Sequence, residues 1–224
     1  MKIGIASSAI LLMTLLIMSC NKKDNPPAAV TDIEGNTYKT VQIGDQIWMA
    51  ENLKTSILSD GTVIPDVSDA AEWSSLATPG LCWYDNDEQS NKQIYGALYN
   101  YHSANSGKLC PDGWHVPSKD DWQTLREVLG DTTTGGGMMK EEGTLHWKAP
   151  NTGAVNSNGF SALPAGIRYF EGTYASVSYF TSFWSSTESD SDNGWYLSLY
   201  YSNAVAAMNR IYKNYGLSVR CIKN

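Results

Sequence analysis

The residues best suited to chemistry lie late in the chain, in Glu188-Ser-Asp190-Ser-Asp192-Asn193-Gly-Trp195. Three carboxylates and an amide on one loop offer the hard oxygen donors that calcium takes. Glu188, Asp190 and Asp192 are the candidate calcium set, and Asn193 is a further candidate ligand contact. Trp184 and Trp195 flank the loop and could supply an aromatic platform. The competing reading is a solvated polar loop. Other groups point away from catalysis. His102, His115 and His146 show neither zinc spacing nor His-Glu-x-x-His. No Gly-x-Ser-x-Gly elbow is present. Asp85 with Asp87, and Asp120 with Asp121, read as turn and cap residues. Gly135-Gly-Gly137 lacks the Gly-Lys-Ser/Thr of a phosphate loop. No catalytic residue is assigned, and the chain reads as non-enzymatic.

The element that must organise these residues is Cys110-Pro-Asp-Gly-Trp-His-Val-Pro-Ser118 and the helix that follows it. Ser118 is an N-cap and Asp121 completes a capping box, with Pro117 and Trp122 in staple positions. Trp122, Leu125, Val128 and Leu129 recur at helical spacing, and Gly130 supplies the stop. Upstream, Thr37–Ile43 and Gln46–Ala50 flank Gly44-Asp45, a two-residue hairpin signal. Positions 56–80 read as a surface excursion. Tyr95, Leu98, Tyr99 and His102 fall at the spacing of an amphipathic helix, with His102 a packed ring rather than a ligand. Met138–Glu142 suggests a short helix, and Ser161–Arg168 a strand and turn. Trp195-Tyr-Leu-Ser-Leu-Tyr-Tyr201 alternates, which puts Trp195, Leu197 and Leu199 on one face. Segments 204–211 and 217–222 are expected to complete a terminal meander.

Several ordered blocks resemble one known family. They are Ile47-Trp-Met-Ala-Glu-Asn-Leu53, Cys82-Trp-Tyr-Asp-Asn-Asp-Glu88, Tyr95-Gly-Ala-Leu-Tyr-Asn-Tyr101 and the Cys110–Ser118 block with Asp121-Trp-Gln-Thr-Leu125. Gly159-Phe-Ser-Ala-Leu-Pro-Ala-Gly-Ile-Arg168, Phe183-Trp-Ser-Ser-Thr187 and Gly216-Leu-Ser-Val-Arg-Cys-Ile-Lys223 follow. Together they resemble the Fibrobacter succinogenes major paralogous domain, found in surface lipoproteins of Bacteroidetes and Fibrobacteres. The resemblance implies an α+β, C-type-lectin-like fold with two main helices and short, mostly antiparallel strands joined by long loops. It also implies an envelope location, and little about activity. The Glu-Pro-Asn or Gln-Pro-Asp tripeptide and Trp-Asn-Asp strand of calcium-dependent animal lectins are missing.

The N-terminus reads as a targeting segment: Lys2, an apolar run to Met18, and Ile17-Met-Ser-Cys20, which resembles a lipobox. The expected organisation is a signal peptide over 1–19, lipidated Cys20 with a tether over 20–30, and one domain over 31–224. Multiple acyl chains on Cys20 would anchor the chain stably to a membrane. The expected location is the outer membrane, with the domain at the cell surface or, alternatively, on the periplasmic face. Three cysteines then remain, and an oxidising compartment favours one bridge and one thiol. The lectin-like resemblance favours Cys110 with Cys221, leaving Cys82 reduced and buried; Cys82 with Cys110 is the rival pairing. A formylglycine-generating oxidase would need a cysteine pair that this assignment uses up. The net charge is −7, with no basic stripe, which argues against nucleic acid. Eight Trp and 13 Tyr suit either core packing or carbohydrate contact. The reading is an extracellular recognition module for a glycan or protein ligand. The alternative is a structural or accessory part of a surface or fimbrial assembly.

Overall fold

The computed structural model describes Met1, residues 27–130 and residues 132–224. The expected signal segment and Cys20 lie outside the described residues. The chain begins with β1 (Val30–Thr31), β2 (Thr37–Tyr38), β3 (Thr40–Ile43) and β4 (Gln46–Met49), then α1 (Ala70–Ser75) and β5 (Leu81–Cys82). Next come α2 (Glu88–Tyr95), β6 (Leu98–Tyr99), α3 (Tyr101–Ala104), β7 (Trp114–His115), α4 (Lys119–Val128) and α5 (Gly135–Met139). Strands β8 (Ala165–Arg168), β9 (Tyr174–Val177), β10 (Phe180–Glu188), β11 (Asn193–Tyr200), β12 (Ala207–Tyr212) and β13 (Ile222–Lys223) follow. This is an α+β fold whose strand ladders are small and antiparallel.

Local chemistry explains the strongest elements. Ser118 Oγ accepts from the Asp121 N–H at 3.1 Å, and Asp121 Oδ2 accepts from the Ser118 N–H at 2.8 Å, so α4 starts on a complete capping box. Trp122 and Leu125 are buried by this helix, whereas Val128 is 49 % exposed. Val128 instead leans over the β3–β4 turn: a Cβ on Gly44, whose φ is +60°, would lie 2.9 Å from Val128 Cγ2. That turn pairs Ile43 with Gln46, as its sequence predicts.

The expected helix through Tyr95–His102 does not form. Gly96 ends α2 at φ +72°, where a Cβ would meet the Leu53 carbonyl oxygen at 2.7 Å. The chain then forms β6, and a new helix, α3, begins beyond Asn100, whose side chain accepts from the Ser103 N–H. The expected helix at 138–142 is α5, which begins and ends three residues earlier. Residues 56–80 are not a mere excursion, because Leu58, Ile64, Val67 and Trp73 are buried. Nor does the last segment complete the meander. Strands β10–β11–β12 form one sheet, while β13 returns to lie between β4 and β7 in a second, of order β3–β4–β13–β7.

Two apolar clusters flank the β10–β11–β12 sheet. One gathers Trp48, Trp122, Phe160, Phe183, Leu197 and Leu199, with Trp48 and Trp122 centroids 4.6 Å apart. The other holds Tyr99, Tyr101 and Trp184 beside the Cys110–Cys221 disulfide. Three buried cations tie the loops. Arg220 donates from Nε to Asn52 Oδ1 at 2.9 Å and from its terminal nitrogens to the Phe160 and Ser161 carbonyls. Lys140 donates to the carbonyls of Thr152, Tyr200 and Asn203 at 2.9–3.0 Å. Arg168 donates to the Val67, Ser68 and Gly172 carbonyls. Their main-chain acceptors replace the water that burial removes.

Candidate functional site

The acidic loop does not gather into a metal site. Asp190 Oδ1 accepts from the N–H groups of Asp192 and Asn193, both at 3.0 Å, and from Asn193 Nδ2 at 2.8 Å. These turn bonds hold the Asp190 carboxyl below its ordinary pKa, the Asn193 side chain contributing most. Glu188 is ion-paired with Lys213 Nζ. Among the described residues no group of three His, Cys, Asp or Glu is placed to hold a metal ion. The Asp190 and Glu188 carboxylates are taken up by turn closure and an ion pair, whereas Asp192 enters the turn through its backbone N–H.

Trp184 is likewise not a platform. It is wholly buried, donates from Nε1 to the Tyr99 carbonyl at 2.7 Å and meets Tyr101 edge-on at 5.4 Å. Trp195 is half-buried on the opposite face of β11, with Lys119 Nζ 3.9 Å from its ring centroid. The structure therefore separates the two tryptophans.

One residue of the expected set, Asp192, does line an open groove of about 550 Å³. Its other walls include Ser74, His102, Phe170, Tyr212, Lys213 and Asn214. Phe170 and Tyr212 are 44 % and 54 % exposed, with ring centroids 5.8 Å apart, so the groove has an aromatic wall open to solvent. Phe170 sits at the tip of the β8–β9 hairpin. Buried Arg168 secures that tip, donating from Nε to the Gly172 carbonyl at 3.1 Å while its guanidinium stacks on Trp73 at 4.4 Å. The polar wall is equally fixed. The Lys213 N–H donates to the Asp192 carbonyl at 2.9 Å, Lys213 Nζ to the Ser191 carbonyl at 2.7 Å, and Asn214 Nδ2 to the Ser74 carbonyl at 2.6 Å. Burial, then the Lys213 charge, pushes the His102 pKa down, so the ring is neutral at pH 7 and offers one donor and one acceptor.

Two smaller clefts differ in character. One, of about 270 Å³, is lined by Lys54, Lys92, His146 and Arg220 among others, with no Phe, Tyr or Trp among its described wall residues. The other, of about 260 Å³, lies beside Cys110. The remaining histidines have structural partners: His115 Nδ1 meets Asn224 Oδ1 at 2.6 Å, and His146 Nδ1 meets Glu141 at 2.9 Å. Cys82 is a buried free thiol, pushed up to about 11 by burial.

Phe170 and Tyr212 escaped sequence reasoning because a lone ring beside Glu171 and one at a strand end carry no motif. The only available signal was their neighbours, Gly172 and Lys213-Asn214, which mark chain reversals.

The fold and groove define an α+β domain that presents a rigid, mixed aromatic and polar surface. Residues 41–223 match the model of the Fibrobacter succinogenes major domain, and the chain belongs to that family. No curated protein and no solved structure matches it.

Proposed function

We propose that this protein is a non-enzymatic, extracellular recognition module that takes its ligand in the groove of Phe170, Tyr212, Asp192 and Asn214. The observation that carries the reading is the pairing of two solvent-open rings with fixed polar groups in one concavity. Aromatic faces supply desolvated contact area, and polar side chains orient what lies on them. The inert state of Cys82 also favours recognition over oxidase chemistry, which needs an accessible thiolate.

The proposed scaffold is C-type-lectin-like. Supporting it are the two longest helices, α2 and α4, the return of β13 between β4 and β7, and the Cys110–Cys221 bridge. Family membership and the segment ending at Ile17-Met-Ser-Cys20 support a lipoprotein held to the outer membrane through acylated Cys20, with the domain outside the cell. The test is a glycan array and an envelope-protein capture screen on the full-length chain in detergent. Phe170→Ala with Tyr212→Ala is expected to remove the ligand found while leaving the melting temperature unchanged. Undiminished binding by that double variant would defeat the groove assignment. Retention of the protein's own copies or of fimbrial subunits would favour the assembly role instead.

A further inference from the structure

We infer that the ligand is an extended glycan, a chain of equatorially linked pyranoses laid along a strip of six aromatic rings that leads out of the groove. The inference rests on the groove reading above and specifies its ligand. The strip starts at Tyr212 and Phe170, 5.8 Å apart, and passes to Tyr215, 5.9 Å from Phe170. Tyr169 follows, 5.7 Å from Tyr215. It continues along β11 through Tyr196 and Tyr200, which share a face because they lie four residues apart. Tyr169, Tyr196 and Tyr215 all pack, half-buried, against one apolar cluster, and Tyr200 meets Phe180 of that cluster with ring centroids 4.7 Å apart.

The dimensions and chemistry select a chain. Four strand residues span about 13 Å, so Tyr196 to Tyr200 alone outreaches a single sugar ring. A pyranose with equatorial substituents turns axial C–H groups to both faces and its hydroxyls to the rim, so its faces stack on rings while its edges need hydrogen bonds. Asn209 is exposed on the same sheet face, its Nδ2 donating to the buried Ser198 hydroxyl at 3.1 Å, and Asp192, Asn214 and neutral His102 line the groove end. Stacked nucleobases are disfavoured because Lys213 is paired with Glu188 and the chain carries −7.

The test titrates the full-length chain, in a detergent without a sugar headgroup, with β-1,4-linked gluco-, xylo-, manno- and N-acetylglucosamine oligosaccharides from disaccharide to hexasaccharide. In at least one series the affinity is expected to rise about tenfold or more with length. Tyr200→Ala is expected to abolish that rise while sparing the disaccharide, and Phe170→Ala to weaken every length. Equal affinity for disaccharide and hexasaccharide, unchanged in Tyr200→Ala, would overturn the strip and leave the groove reading standing. Failure of every series, with Phe170-dependent capture of a protein, would overturn the glycan assignment but keep the groove. Failure of every series with capture indifferent to Phe170→Ala and Tyr212→Ala would overturn both.

Discussion

Two aromatic regions of this molecule behave in opposite ways. The interior cluster of Trp48, Trp122, Phe160 and Phe183 is wholly buried and closes over the Arg220 guanidinium, 4.3 Å from the Phe160 ring. The groove and its strip expose Phe170, Tyr200 and Tyr212. Tryptophan serves packing here: six of the eight are buried and the other two half-buried. Tyrosine is divided, with Tyr38, Tyr99 and Tyr101 inside and Tyr200 and Tyr212 on the surface. An indole has a large apolar area and one donor to satisfy, which Trp122, Trp147 and Trp184 satisfy on main-chain carbonyls. A phenol can keep its hydroxyl in water while its ring face stays available. In this chain the solvent-open aromatic surface, the one proposed to take ligand, is therefore marked by tyrosine and phenylalanine, and the tryptophans mark the core.

The contrast makes quantitative demands. The largest effect belongs to the Cys110–Cys221 bridge, which spans 111 residues and ties the β7 side of the molecule to the segment entering β13. Reduction is expected to cost about 4 to 5 kcal/mol in the chain-entropy picture, read as a drop in the urea midpoint. Full stability after reduction would show that the interior holds the sheet order unaided. The next comparison sets one ring from each region side by side. Trp122→Ala is expected to cost about 3–5 kcal/mol, because its cavity opens among Trp48, Phe160 and Phe183. Tyr212→Ala is expected to cost within about 0.5 kcal/mol, because the ring is more than half exposed. Comparable losses at both positions would erase the distinction between core and ligand surface.

What the sequence made legible follows the range of the interactions involved. The α4 capping box and the β3–β4 turn are decided within a few residues, and both form where their residues predict. The family blocks are equally local to read, and they identified the α+β domain before its strands could be ordered. The return of β13 between β4 and β7 depends on partners more than a hundred residues away, so the simpler meander was expected. The helical spacing of Tyr95 to His102 misled because the Gly96 turn faces the Leu53 carbonyl, a contact absent from any local pattern. At the site, charge density drew attention to Glu188, Asp190 and Asp192; the Asp190 carboxylate in fact closes a turn and that of Glu188 pairs with Lys213. Asp192 was singled out and lines the groove; Phe170, Tyr212 and the Arg168 that secures the Phe170 hairpin were not. Nothing near Arg168 in sequence shows that it will donate to carbonyls at 67 and 68.

A pH-dependent effect lies between the two regions, where Cys82, Trp73 and Leu98 form a third cluster against Tyr174 and the Arg168 that holds the groove hairpin. Burial pushes the Cys82 thiol from 9.0 up to about 11, and the Arg168 charge draws it partly back. Between pH 9 and 11 the unfolded chain has released a proton that the folded chain keeps, so the unfolded state binds fewer protons and stability falls as pH rises. The buried tyrosines act in the same direction at higher pH, but they are common to wild type and Cys82→Ala. The difference between the two proteins isolates the thiol: the urea midpoint of wild type is expected to fall more steeply between pH 9 and 11. Parallel curves would mean that the thiol gains solvent in the folded state. The cluster beneath the groove would then be loose, and the division into a rigid interior and a ligand surface mounted on it would fail at that joint.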